Sequence, residues 1–250
     1  YHEPIANALT KSGVFVSVVN AKLSHDYGGD TIRRAKTDKI DSLKIAMYCL
    51  DKWTRLERYE PEEECRKTLK TYNRQLAEYN KLKLMLKNNL ISLLDQVFPG
   101  ANELFTSPAR ESDGHEKWID FVAEFWHCEY IADVSQKTFV ERYRKWCKRN
   151  GYCFSSEKSE TIYTVAVKCP ATLPKNDFIK TLIRQAVLQL NRLCETIAVV
   201  KKEMNKIASL LPEYETVLAM HGVGAALAPQ LIAEIGDVRR FKKRTSISCF

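Results

Sequence analysis

The stretch PEEECRKTLKTYNRQLAEYNKLKLMLKNNLISLLDQV, residues 61–97, decides the architecture. Pro61 suits the first turn of a helix, and Glu62, Glu63 and Glu64 sit at its positive end. The apolar positions that follow are Leu69, Tyr72, Leu76, Tyr79, Leu82, Leu86, Leu90, Leu93 and Val97. Their spacing alternates between three and four residues, which is the helical period. Pro99-Gly100 ends the run. A second stretch of the same kind begins near Asn176. Ile179, Leu182, Ala186, Leu190, Leu193, Ile197, Val200, Met204, Ile207 and Leu211 form a near-heptad seam that stops at Pro212. Two long helices of matched length predict an antiparallel coiled coil, with residues 101–175 at its tip. The aromatic-rich part from Trp118 to Tyr163 predicts a small helical cap, closed by a strand-like segment from Thr161 to Val167.

Outward from this centre, both flanks change character. Residues 1–12 predict a helix with Ile5, Ala8 and Leu9 on one face, stopped by Gly13. Val14 to Val19 is an almost continuous apolar, β-branched run. It predicts a strand buried on both faces, as in the second half of a β-α-β unit. Residues 20–30 contain Gly28-Gly29 and predict a loop. A helix follows from Thr37 or Asp38 to about Leu50, with Ile40, Leu43, Ile45 and Met47 as its apolar positions. Residues 54–59 fit either an edge strand or an extended linker. On the other flank, residues 216–235 combine apolar residues with Gly222-Val223-Gly224 and a second apolar helix. That is a helix-hairpin-helix pattern. Its glycines allow close backbone approach to a phosphate, and its second helix offers a positive end.

The 250 residues carry 39 basic and 31 acidic side chains, a net charge of +8, and the apolar fraction of 45% is enough for a core. Wholesale disorder is excluded, and no apolar run approaches membrane-spanning length. Residue 1 is Tyr, with no leader-like segment after it, so an internal piece of a longer protein is expected. The eight cysteines form no CxxC pair and the five histidines are scattered, a pattern unlike a zinc site. Reduced thiols and the lack of a leader point to the cytoplasm. The charge favours an anionic partner. It concentrates at residues 33–39, with Arg33, Arg34, Lys36 and Lys39, and near the end, with Arg239, Arg240, Lys242 and Lys243. A basic cluster beside a phosphate-binding hairpin is a nucleic-acid footprint.

Asp38 and Asp41 carry the chemistry with most consequence. Their i, i+3 spacing at a helix start puts two carboxylates on one face, a turn apart. Two hard oxygen ligands suit Mg²⁺, which usually adds substrate phosphates. In the plainer alternative Asp38 caps the helix and Asp41 faces its dipole. A second ambiguous run, Arg142 to Arg149, interleaves five basic residues with Tyr143 and Trp146. It fits nucleic-acid stacking or a solvated helix face over core aromatics equally.

AKTDKIDS at residues 35–42, the VVN strand and the opening YHEPIANAL resemble DEDD-type insertion-sequence transposases with a RuvC-like (RNase H-fold) domain. The closing LAMHGVGAALAPQLIAEIGDVRRFKKRTSISCF resembles the start of that family's second domain. The resemblance implies a fold that is α/β plus mainly α. Residues 1–60 would be the rear of the RuvC-like domain. Residues 61–211 would be the coiled coil with its insertion at 101–175. Residues 212–250 would begin the helix-hairpin-helix transposase domain. It further implies that Asp38 and Asp41 are the last two acids of a Mg²⁺-binding set used in DNA strand cleavage and exchange. The other two acids would precede Tyr1, and a nucleophilic serine would follow Phe250; Glu3, Ser246 and Ser248 do not stand in for them. Some members use a guide (bridge) RNA, and a homo-oligomer through the coiled coil is expected. Rival readings are a non-catalytic truncated nucleic-acid-binding protein and an RNase H-fold junction nuclease.

Overall fold

The computed structural model describes residues 2–27 and 38–240, apart from the side chains of His25 and Arg240. The chain divides into two compact units, Tyr1–Glu63 and Glu64–Phe250. Among the described residues every regular element is helical and no strand occurs.

The first unit contains α1 (Glu3–Lys11), α2 (Ala21–Asp26) and α3 (Asp38–Lys52). Pro4 sits in the first turn of α1, and Gly13 follows its end with φ +81°, a conformation that glycine adopts without strain. Asn20 caps α2 by accepting a hydrogen bond from the Lys22 amide at 2.9 Å. The expected buried strand at residues 14–19 is not formed. A strand needs ladder partners, and among the described residues this segment receives one long-range backbone bond, from the Tyr59 amide to the Val16 carbonyl at 2.7 Å. Val14, Phe15 and Val18 are exposed rather than buried on both faces. Residues 54–59 form a 3₁₀ turn, Trp53–Arg55, and then an extended linker, so the edge-strand alternative falls. The expected loop at residues 20–30 is overturned over its first part, where the Asn20 cap starts α2 at Ala21–Asp26; its Gly28-Gly29 part and the Thr37 cap lie outside the described residues.

The second unit is built on α4 (Glu64–Val97). The remaining helices follow as α5 (Lys117–Glu124), α6 (Glu129–Ala132), α7 (Gln136–Asn150), α8 (Ser156–Val167), α9 (Asp177–Ala208), α10 (Tyr214–Leu218) and α11 (Ala228–Ile235). Helices α4 and α9 pair antiparallel. Leu90, Leu94 and Val97 at the end of α4 share a core with Ile183, Val187 and Leu190 at the start of α9. Leu69 and Leu76 at the start of α4 share another with Ile197, Met204 and Ala208 at the end of α9. The periodicity is as expected, but the buried row differs from the predicted seam. Leu82 and Leu182 are exposed, while Leu94, Ile183, Val187 and Cys194 are buried. The inward stripe is wider than a two-position seam because the cap also packs on it.

The cap is helical throughout. The expected strand at 161–167 is instead part of α8, which Ser155 starts by accepting the Lys158 amide at 3.2 Å. Ser159, Ile162 and Ala166 then face inward at helical spacing. Ser135 caps α7 and Asn176 caps α9 in the same way. At the C-terminal end of α4, the Gln96 carbonyl accepts from the Thr172 and Leu173 amides at 2.9 and 3.0 Å, and the Val97 carbonyl from the Cys128 amide at 3.1 Å. The cap thus satisfies carbonyls that a helix end leaves open. Phe121 is its hub, stacked on Phe125 with centroids 4.8 Å apart and edge-on to Trp146 at 5.7 Å.

Candidate functional site

Asp38 and Asp41 both lie in the first turn of α3, where negative charge is favoured by the helix dipole. Ser42 Oγ donates to the Asp38 carbonyl at 2.8 Å, closing that turn. Asp38 and Lys39 are exposed and Asp41 is half-buried, so the carboxylates are open to an incoming cation. The other end of α3 is fixed by Tyr27, whose hydroxyl donates to the Asp51 carboxylate and whose ring meets Tyr48 edge-on at 5.4 Å. Among the described residues no group of three or more His, Cys, Asp or Glu side chains converges. A two-carboxylate donor set of hard oxygens fits Mg²⁺, which needs one or two protein carboxylates when phosphate oxygens and water complete its shell.

The hairpin lies at the opposite end of the second unit from the cap. Helix α10 ends at Leu218, two tight turns follow, and α11 starts at Ala228. Gly222 has φ +80°, which only glycine adopts cheaply. Gly224 has no such requirement, and a Cβ at either position would meet no atom within 4 Å. The turns close through the Val223 amide to the Met220 carbonyl at 3.0 Å, and through the Leu227 and Ala228 amides to the Gly224 carbonyl at 2.9 and 3.0 Å. Residues 219–227 are largely exposed, whereas Ile232 and Ala233 of α11 are buried with Leu69, Leu76 and Met204. Pro229 stands in the first turn of α11, where its missing N–H costs little.

The basic residues divide. Arg239 holds Asp237 with two nitrogens, Nε at 2.9 Å and Nη2 at 2.8 Å. That pairing holds the Asp237 carboxyl at about 2. Arg239 is therefore already partnered within its own turn. Lys39 is exposed at the Asp38 turn. Arg33, Arg34, Lys36, Lys242, Lys243 and the Arg240 side chain lie outside the described residues. In the Arg142–Arg149 run the aromatic residues are core: Tyr143 and Trp146 are buried, with centroids 5.7 Å apart. The solvated-face alternative holds, since Tyr143 and Trp146 are packed inside and their rings are not offered to a base.

Sequence reading missed a polar cluster where the cap meets α9. Asp120 accepts from the Tyr152 hydroxyl at 2.6 Å and the Asn191 amide at 2.7 Å, with His115 Nδ1 at 3.3 Å. Burial and the Asp120 carboxylate push the Tyr152 hydroxyl up. Arg110 adds bonds to Asp113 and the Asn150 carbonyl at 3.0 and 2.9 Å. These partners span 110 to 191, so no local spacing announces them. A run of polar residues inside an aromatic-rich segment is the one signal available.

Residues 1–99 match the family model of the IS110-type DEDD transposases, described as a transposase. The matched stretch holds Asp38, Asp41 and all of α4. The resemblance drawn from AKTDKIDS and YHEPIANAL is borne out over that part, and it supports a transposase of an insertion sequence. No curated protein matches the chain. No helix among the described residues is long and apolar enough to cross a membrane.

Proposed function

We propose that the chain is the part of an insertion-sequence transposase that supplies two carboxylates to Mg²⁺-dependent DNA strand cleavage and exchange. One observation carries the reading: Asp38 and Asp41 fall a single helical turn apart at the start of α3, inside the residues that match the transposase family. When bound, Mg²⁺ would stabilise the attacking and leaving oxygens of phosphoryl transfer. Asp38 and Asp41 would hold it, and the α3 backbone fixes their separation. Lys39, beside them, would offset phosphate charge, together with Arg33, Arg34 and Lys36.

The remaining parts follow from the same resemblance. Residues 1–60 belong to a RuvC-like domain, α4 and α9 form a coiled-coil spacer that joins two copies, and a bridge RNA selects the DNA. The hairpin with Gly222 and Gly224 approaches a DNA backbone, aided by Arg240, Lys242 and Lys243. A serine in the second domain forms the covalent DNA link. The test is cleavage of DNA carrying the element's ends by the transposase that contains this chain. Cleavage should require Mg²⁺ and stop on chelation. Cleavage that persists in excess chelator would overturn the reading.

A further inference from the structure

A cleft of about 680 Å³ lies between the cap and α9, bounded in part by Trp126, Tyr130, Lys180, Arg184 and Asn191. Neither the acidic pair nor the hairpin uses it. Trp126 is 3% exposed, and its indole N–H is buried without a hydrogen-bond partner. The Asn191 amide is oriented by its bond to Asp120, which leaves its Oδ1 buried and unpartnered. Folding rarely leaves a donor and an acceptor unmet in one cavity unless something else meets them.

The charges around the cleft are unequal in availability. Arg149 is engaged by Glu124, and Arg110 by Asp113. Arg184 has no carboxylate partner among the described residues; its Nε makes only a long bond to the Ala123 carbonyl at 3.4 Å. Among the described residues Lys180 has only Asp177 as a carboxylate partner, at 3.8 Å on an exposed turn. Tyr130 is 40% exposed and offers a ring. The cleft therefore combines two available cations, a buried donor, a buried acceptor and an aromatic face.

We propose that this cleft binds a nucleotide. Its phosphate oxygens accept from Arg184, Lys180 and the Trp126 N–H, a hydroxyl or amine donates to Asn191 Oδ1, and the base lies against Tyr130. A bare carboxylate or phosphate would use the cations but leave Asn191 Oδ1 and the ring unused. The proposal does not rest on the strand-exchange reading, and its test reads binding alone.

The test uses the 250-residue chain with two probes, a 5′-mononucleotide and a short labelled single-stranded oligonucleotide. Arg184→Gln and Trp126→Phe should each weaken binding by about tenfold. Lys145→Gln, an exposed cation on α7, should leave it unchanged. Circular dichroism and melting confirm folding, and Tyr130→Ala carries the same test if Trp126→Phe does not fold. Mononucleotide binding sensitive to these variants supports the proposal with a free nucleotide. Sensitivity confined to the oligonucleotide supports it with a nucleotide within a strand. A loss confined to Arg184→Gln is surface charge alone and overturns the proposal, as does binding of neither probe.

Discussion

Arg66 near the start of α4 holds the carboxylate of Glu213, immediately before α10, through its two terminal guanidinium nitrogens, with Nη2 donating to Oε2 at 3.0 Å. Arg66 is 5% exposed, so the pair is largely shielded from water. It ties the segment after Pro212 to the long-helix pair, alongside the Asn73 amide's bond to Glu234 at 2.6 Å. The hairpin is thereby held by ion pairing as well as by Ile232 and Ala233.

The Arg66 guanidinium holds the Glu213 carboxyl below its usual range. A depressed carboxylate contributes stability that is present above its unfolded pKa, about 4.3, and lost as pH falls through the folded value. Glu213→Gln should cost about 2 kcal/mol at neutral pH, because it removes the charge from a largely buried ion pair. The variant's loss relative to the parent should shrink as the solution is acidified below about pH 4. Denaturant melts at several pH values check both statements.

Gly222→Ala should destabilise by about 1–2 kcal/mol, the cost of a Cβ in the left-handed region. Gly224→Ala should cost well under half of that, since its backbone is ordinary and the added Cβ meets open space. Equal effects in thermal melts would show that the turn does not hold Gly222 at positive φ.

Asp237→Asn should strengthen DNA binding and steepen its salt dependence by about one unit of slope, because Arg239 then becomes available to a phosphate. A salt titration of the parent and variant decides this. Unchanged slope would mean that Arg239 stays out of the interface.

Leu94→Ala should cost about 2–5 kcal/mol, as a fully buried leucine in a shared core. Leu82→Ala should cost less than about 1 kcal/mol, because Leu82 is exposed although its spacing places it on the predicted seam. Paired chemical denaturation of the two variants measures the difference.

That pair of leucines also shows how far periodicity reads. Helical spacing gave both long helices, although α4 begins at Glu64 rather than Pro61 and α9 stops at Ala208 rather than Leu211, and it assumed one partner face. Residues 101–175 add a second, and Leu94 and Ile183 lie in the core shared with it while Leu82 and Leu182 stay exposed. The strand expectations at Val14–Val19 and Thr161–Val167 had different causes. The first run has β-branched composition but little ladder pairing, and composition alone does not supply partners. The second was decided by Ser155, whose cap starts a helix through the β-branched residues. At the candidate site, Asp38 and Asp41 were legible because their relationship is local, one turn of one helix. The Asp120–Tyr152–Asn191 cluster was not, since it forms only when the cap folds onto α9. The pairing of Arg239 with Asp237 was not legible from the charge run alone, because counting basic residues does not say which of them fold back onto a neighbouring carboxylate.

The most direct measurement is DNA strand exchange in Mg²⁺ by the transposase containing this chain, comparing Asp38→Asn and Asp41→Asn with Asp51→Asn. Asp51 lies on the same helix at its far end, bonded to Tyr27. The account predicts that the first two variants bind DNA normally and lose exchange, while Asp51→Asn keeps it. Exchange retained by Asp38→Asn and Asp41→Asn would contradict it.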